Sequence, residues 1–263
     1  MKKLVALAMV GMLAVATLTG CGQESKGDTF TVGFDAEFPP YGYRDENGEY
    51  VGFDLDLAAE VAKRNDWELV KQPIEWAAKD MELESGTIDC IWNGFTMNGR
   101  EEQYTWTEAY VDNSQVVVVA ADSGIVLKSD LAGKTVAVQK DSSALAALND
   151  EENTENIALR DSFEELIEYA DYNTAFMELE QGAVDAVAID IGVAKYQVEK
   201  REAGAYVMLE EKLATEQYGV GFRLGNEELR DTVQKTLNEM VDDGTFMEIA
   251  KKWGLEDSVC LGK

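Results

Sequence analysis

From residue 29 onward, short apolar runs rich in β-branched and aromatic residues alternate with longer stretches whose apolar positions recur at helical spacing. Residues 29–34 read as a strand. Residues 53–65 read as a helix, with Leu55, Ala58, Ala59 and Ala62 on one face and charges between them. Strand character returns at 67–71, a helix over 74–85 is stopped by Gly86, and 88–92 is an apolar strand. That alternation predicts parallel strands with right-handed crossovers and helices covering the sheet. A second block repeats it, with strands at 115–120 and 134–139, a short helix at 142–148 and a long acidic helix over 162–181 ended by Gly182. A buried strand at 184–189, a helix at 191–202, strands at 206–209 and 218–222, and helices at 226–241 and 245–253 complete the chain.

The expected fold class is α/β, with two Rossmann-like lobes. The runs at 115–120 and 216–222 are the candidate hinge crossings. Two crossings make the first lobe discontinuous, so 29–114 with 217–263 form lobe 1, and 115–216 form lobe 2 together with the hinge segments. A cleft between hinged lobes is a natural ligand site.

The N-terminus adds a compartment. Lys2 and Lys3 precede an uncharged apolar run over 4–18, short of the ~20 residues a membrane span needs but suited to an export signal. The run ends in Leu18-Thr19-Gly20-Cys21. Small residues before a cysteine resemble a bacterial lipobox, with Thr19 where Ala or Ser is commoner. The expectation is a lipoprotein signal peptide over 1–20, lipidation of Cys21 with more than one acyl chain (palmitate among them), and a polar tether over 21–28. The protein is then exported, extracytoplasmic and anchored to the cell membrane by lipid. The competing reading is an ordinary signal or a short uncleaved anchor.

Composition narrows the function classes. Hydrophobic residues make up 46% of the chain and there are only three prolines, which supports real cores without long disordered linkers. The net charge is −28, and loss of residues 1–20, whose only charges are Lys2 and Lys3, takes it to −30. Nucleic acid is excluded as a partner, because phosphate binding needs a basic face. There is no histidine, which removes the commonest general base and metal ligand; no metal or cofactor is expected. In an oxidising compartment leftover cysteines often pair, so Cys90 and Cys260 are expected to form a disulfide, two unpaired thiols being the other reading.

Six stretches, VGFDAEFPPY (32–41), GEYVGFDLDL (48–57), NGFTMNGREE (93–102), LAGKTVAVQ (131–139), GAVDAVAID (182–190) and YGV (218–220), stand in the order found in one family. Together they resemble the bacterial extracellular solute-binding proteins of family 3, amino-acid-binding proteins of ABC importers with the type II periplasmic-binding-protein fold. The resemblance implies a monomeric, non-enzymatic component that binds a free amino acid between two closing lobes and delivers it to the permease subunits.

It also implies roles, each of which has a plainer alternative. Arg100 follows a Gly/Asn-rich turn at the carboxyl edge of the sheet, and an arginine fork matches a carboxylate bidentately at any relevant pH. Alone it reads as a surface arginine beside Glu101 and Glu102; the resemblance makes it the carboxylate partner. The segment between Thr96 and Arg100 is one residue shorter than the family's spacing. Asp190 ends an apolar strand and alone reads as a helix N-cap; the resemblance makes it the ammonium partner. Gly94 and Thr96 match the backbone and hydroxyl contacts of the ligand's charged groups. Ser142 and Ser143 open a helix whose free N–H groups favour a carboxylate, although Asp141 stands where the family commonly has glycine. Phe38 and Trp76 correspond to aromatic walls that would otherwise read as core. Asp35 and Asn93 are the candidate readers of the ligand side chain, or else turn and strand-end hydrogen-bonding groups. The ligand is expected to be polar, with glutamine, arginine and cystine open.

Three rivals compete. A dehydratase-like enzyme on the same fold lacks a readable nucleophile–base pair or metal cluster. A sensor domain would carry a spanning helix and signalling module. A purely structural lipoprotein leaves Arg100, Asp190 and the two lobes unexplained.

Overall fold

The computed structural model of the protein describes residues 28–263, so the expected signal peptide and Cys21 lie outside the described residues. The chain begins with β1 (Thr29–Phe34) and a small ribbon of β2 (Glu37–Phe38), β3 (Gly42–Arg44) and β4 (Tyr50–Val51). It continues through α1 (Phe53–Arg64), β5 (Glu68–Pro73), α2 (Lys79–Ser85), β6 (Cys90–Thr96), β7 (Tyr104–Trp106) and the long β8 (Val111–Ala120). Then come β9 (Thr135–Gln139), α3 (Ser143–Asn149), α4 (Thr154–Asp161), β10 (Glu165–Tyr169), α5 (Tyr172–Glu180), β11 (Ala186–Asp190) and α6 (Ile191–Glu199). The chain closes with β12 (Tyr206–Met208), the long β13 (Ala214–Arg223), α7 (Glu227–Asp242) and α8 (Thr245–Lys252). No helix of the described residues is long and apolar enough to cross a membrane.

Local sequence explains α1. Asp54 and Asp56 sit in its first turn and Lys63 and Arg64 in its last, complementing the helix dipole, and Phe53, Leu57, Ala58, Val61 and Ala62 are buried. The main strands form one mixed sheet in the order β10-β9-β11-β8-β13-β6-β1-β5. At one end β1 runs parallel to β5 and β6, and at the other β9 runs parallel to β10 and β11. These are the expected α/β lobes.

Between them, β8 and β13 cross. Residues 111–115 of β8 lie antiparallel to 218–214 of β13. Beyond that shared stretch β8 pairs with β11, while β13 pairs with β6, so each crossing strand belongs to both lobes. The run Val116–Val119 is split by strand alternation. Val116 and Val118 face the main core, and Val117 and Val119 face a second core with Val136, Val138, Ala186 and Leu148. Each fully buried valine is worth roughly 1.5–3 kcal/mol, which fixes the register of the crossing.

Two expectations are corrected. The long helix over 162–181 is instead a short turn after α4, the strand β10 and the helix α5. Leu166, Ile167 and Tyr169 are half-buried and Glu165 and Glu168 exposed along an edge strand parallel to β9, and Asp171 caps α5 by accepting the Thr174 N–H at 2.7 Å. Pairing with β9 overrides local helix propensity. Cys90 and Cys260 are both free thiols, not the expected disulfide. Cys90 is locked inside the sheet opposite Val32 and Phe222. Cys260 lies half-buried in the segment after α8, with its own N–H bound to the Tyr110 carbonyl at 3.0 Å.

Candidate functional site

The carboxyl ends of β1, β6, β9 and β11 converge on one cleft between the lobes. A narrow pocket lies there, lined by Phe38, Trp76, Asn93 and Gly94 from one lobe and Gln139, Ser142, Ser143 and Asp190 from the other. Seven of the ten candidate ligand residues are therefore brought to one cavity. Arg100 and Thr96 face an adjoining open groove, which Ser143 also lines.

At the end of β6, Gly94 takes φ +57°, and an added Cβ would press to 3.0 Å and 3.1 Å from the rings of Tyr218 and Phe38. Only glycine lets the backbone come so close. Its N–H donates to Asp54 Oδ2 at 2.6 Å, and the same oxygen accepts the Tyr110 hydroxyl at 2.9 Å. Burial pushes the Asp54 carboxyl up to about 7, against which those two hydrogen bonds act.

Arg100 donates from Nη1 to the Thr96 carbonyl at 3.0 Å and to Ser143 Oγ at 3.1 Å, and its guanidinium lies 5.2 Å from the centre of the Phe95 ring. Among the described residues it makes no ion pair, with Glu101, Glu102 or any other carboxylate. The surface-pair alternative is therefore absent, and the guanidinium keeps unspent donors. Ser142 caps α3, its Oγ accepting the Leu145 N–H at 3.1 Å. Before it, Asp141 is held at φ +56°, so it adopts the left-handed backbone that glycine would take without strain.

Asp190 ends β11 at the start of α6 yet makes no side-chain cap. Its Oδ1 instead accepts from Asn113 Nδ2 at 2.8 Å, Gln115 Nε2 at 2.7 Å and the Tyr218 hydroxyl at 2.6 Å. Burial, and then the charge of Glu216, holds its carboxyl well above the usual range. Asp35 accepts the Glu37 N–H at 2.8 Å and, across the cleft, Gln139 Nε2 at 2.7 Å; desolvation raises its carboxyl to about 6. Asn93 turns its Oδ1 to the Asp35 N–H at 2.9 Å, so it orients Asp35. Trp76 donates across the cleft to the Asp141 carbonyl at 3.2 Å, and Asn173 donates to Glu37. With the Arg100–Ser143 bond, these contacts hold the lobes closed on each other.

Sequence reading missed Glu216, Asn113, Gln115, Gln139 and Asp54 as members of this neighbourhood. Each is a buried polar residue in or beside an apolar run. Asn113-Ser114-Gln115 leading into four valines was the available signal, since polar side chains buried in a strand need internal partners. No cluster of metal-ligating side chains occurs among the described residues.

Comparison with known proteins agrees with this architecture. A family model described as "Bacterial extracellular solute-binding proteins, family 3" matches residues 30–256. The L-cystine-binding protein TcyJ of Escherichia coli is 26% identical over 260 residues, covering 94% of this chain and 94% of that one. The arginine-binding extracellular protein ArtP of Bacillus subtilis is 28% identical over 267 residues, covering 96% and 98%. A substrate-binding protein of an ABC uptake transporter from Streptococcus pneumoniae, solved with bound histidine, superimposes with a TM-score of 0.82. It is 34% identical and covers 88% of this chain and 94% of that chain. The crossing strands, the two lobes and the cleft are thus those of a type II periplasmic-binding fold, and the chain belongs to the bacterial extracellular solute-binding proteins of family 3.

Proposed function

We propose that this protein captures a free, polar amino acid between its lobes and delivers it to the permease of an ABC importer without chemical turnover. One observation carries the reading. Arg100, with unspent donors and no carboxylate partner, stands on one lobe, and Asp190, a buried carboxylate with no cation, stands on the other. A zwitterion is the smallest ligand that answers both. Its carboxylate would take the Arg100 fork and the N–H groups at the start of α3, and its ammonium would take Asp190, Thr96 and the Gly94 carbonyl. Phe38 and Trp76 would flank the ligand, while Asp35, positioned by Asn93, and Gln139 would read its side chain. Because the two charged partners sit on different lobes, the ligand favours the closed state by its differential contacts there.

Lobe 1 then comprises residues 29–114 and 217–263, and lobe 2 residues 115–216. The protein acts as a monomer held at the cell surface by lipid on Cys21. Relatives that bind cystine, arginine, histidine and glutamine by name support a polar ligand, and Asp35 favours one with a cationic or hydrogen-bond-donating tail. The test is a thermal-shift screen with the twenty amino acids and cystine. One or a few polar members should raise the melting temperature, the bound ligand stabilising the folded state by ~2.7 kcal/mol at a hundredfold excess over Kd. No shift with any of them would refute the reading.

A further inference from the structure

The subsite around Asp190 holds a second buried carboxylate. Asn113 Nδ2 lies 2.8 Å from Asp190 Oδ1 and 2.6 Å from Glu216 Oε1, and Gln115 Nε2 lies 2.7 Å from each of the same oxygens. An amide nitrogen carries two hydrogens, so both side chains spend their full donor capacity bridging the two acids. Tyr218 adds a bond to Asp190 Oδ1 and Thr96 adds one to Glu216 Oε1 at 2.8 Å. All six bonds fall on one oxygen of each carboxylate. Asp190 Oδ2 and Glu216 Oε2 accept none from the described residues.

Neither acid has a lysine or arginine in ion-pair range among the described residues, although Asp190 is 3% and Glu216 7% exposed. Tyr41, Tyr172 and Tyr218 face the pair as neutral phenols, their ionisation pushed far up by burial and then by acidic neighbours. Asp35 and Asp54 are the next buried carboxyls. Arg100 and Asp150 line the groove on one side of Glu216, and Asp112 and Lys212 line the groove on the other. Two adjacent buried carboxylates with no counter-ion cannot both stay ionised without large cost, and such pairs share a proton. Burial and the charge of Glu216 raise the Asp190 carboxyl in that sense.

We propose that Glu216 is the second carboxylate of the ammonium subsite, and that Asp190, crowded against it without a cation, keeps a proton in the ligand-free protein and releases it when the amino acid's ammonium seats against both. The inference rests on the assignment of Asp190 to the ammonium. On binding, the carboxylic O–H bond breaks and its proton passes to the buffer, while the ammonium keeps its own three. The subsite carries one net negative charge before and after, because one cation replaces another. Affinity therefore rises with pH, by up to tenfold per pH unit while Asp190 is protonated, and levels off above that range.

The experiment is calorimetric titration of the wild type with the amino acid, among the twenty and cystine, that raises its melting temperature most. Two buffers of different ionisation enthalpy are used, between about pH 5 and pH 8. The expected result is release approaching one proton per bound ligand at the acidic end. Glu216→Gln keeps an oxygen for its three donors and so remains folded; it should bind about tenfold more weakly near neutrality, with a flattened pH dependence. Carboxyl 13C NMR of the ligand-free proteins gives a second readout, in which the Asp190 midpoint moves to lower pH in Glu216→Gln. Binding without proton release, an unchanged pH slope in Glu216→Gln, or an unmoved Asp190 midpoint overturns the proposal. Failure of every amino acid to bind the wild type would instead overturn the proposed function, which the NMR measurement does not require.

Discussion

Arg100→Met separates binding from folding. The guanidinium makes two hydrogen bonds, to the Thr96 carbonyl and Ser143 Oγ, and lies over Phe95. Methionine keeps the apolar stem and a favourable sulfur contact with that ring. The folded state loses only those bonds at a half-buried position, on the order of 1 kcal/mol, which lowers the melting temperature by about 2–4 °C in a chain of this size. The ligand loses far more. Its carboxylate would be desolvated between the lobes without the fork that answers it, a penalty on the order of 2–5 kcal/mol, or roughly 30- to 5000-fold in affinity. Calorimetric binding and ligand-free melting of both proteins give the two numbers. A folded Arg100→Met that binds within about threefold of the wild type would refute the assignment of the carboxylate site.

Four further outcomes are expected. Asp190→Asn keeps an oxygen for Asn113, Gln115 and Tyr218 but loses the charge, so calorimetry should show binding weakened by about 1.5–3 kcal/mol in a folded protein. Asp54, raised from 3.8 to about 7 by burial, holds its proton more tightly folded than unfolded; its stabilising contribution is complete below 3.8 and disappears as pH rises through about 7. Denaturant unfolding of the ligand-free wild type should therefore decline with pH across that window, by up to about 1.4 kcal/mol per pH unit more steeply than Asp54→Asn, and parallel profiles would contradict it. Asp141→Gly relieves a left-handed backbone at φ +56° and should raise unfolding free energy by about 1 kcal/mol. Mass-spectrometric alkylation of the native protein should label half-buried Cys260 and spare buried Cys90; a linked peptide would restore the disulfide.

Much of this molecule was legible before its structure. Strand and helix alternation marked out the lobes, and the β-forming runs at 115–120 and 216–222 marked the crossings. What was not legible depended on tertiary pairing. Residues 165–169 carry glutamates at a spacing that suits a helix, and only β9 beside them makes a strand. The candidate ligand residues came from motifs at strand ends, where β-sheet geometry delivers them together. Glu216, Asn113 and Gln115 escaped because their meaning lies in one another: an amide in β8 acquires a role only when Asp190 and Glu216 arrive from strands about 75 and 101 residues away. Asn93 shows the opposite limit, since its place at the cavity was foreseen but its oxygen serves Asp35.

The central claim is stoichiometric capture of an unaltered amino acid in the cleft between Arg100 and Asp190. Native mass spectrometry of the wild type incubated with the amino-acid panel tests it most directly. The account predicts one adduct per chain at the mass of a polar amino acid, released unchanged on denaturation and lost in Arg100→Met. An absence of any adduct, an adduct that persists in Arg100→Met, or a released molecule of altered mass would contradict it.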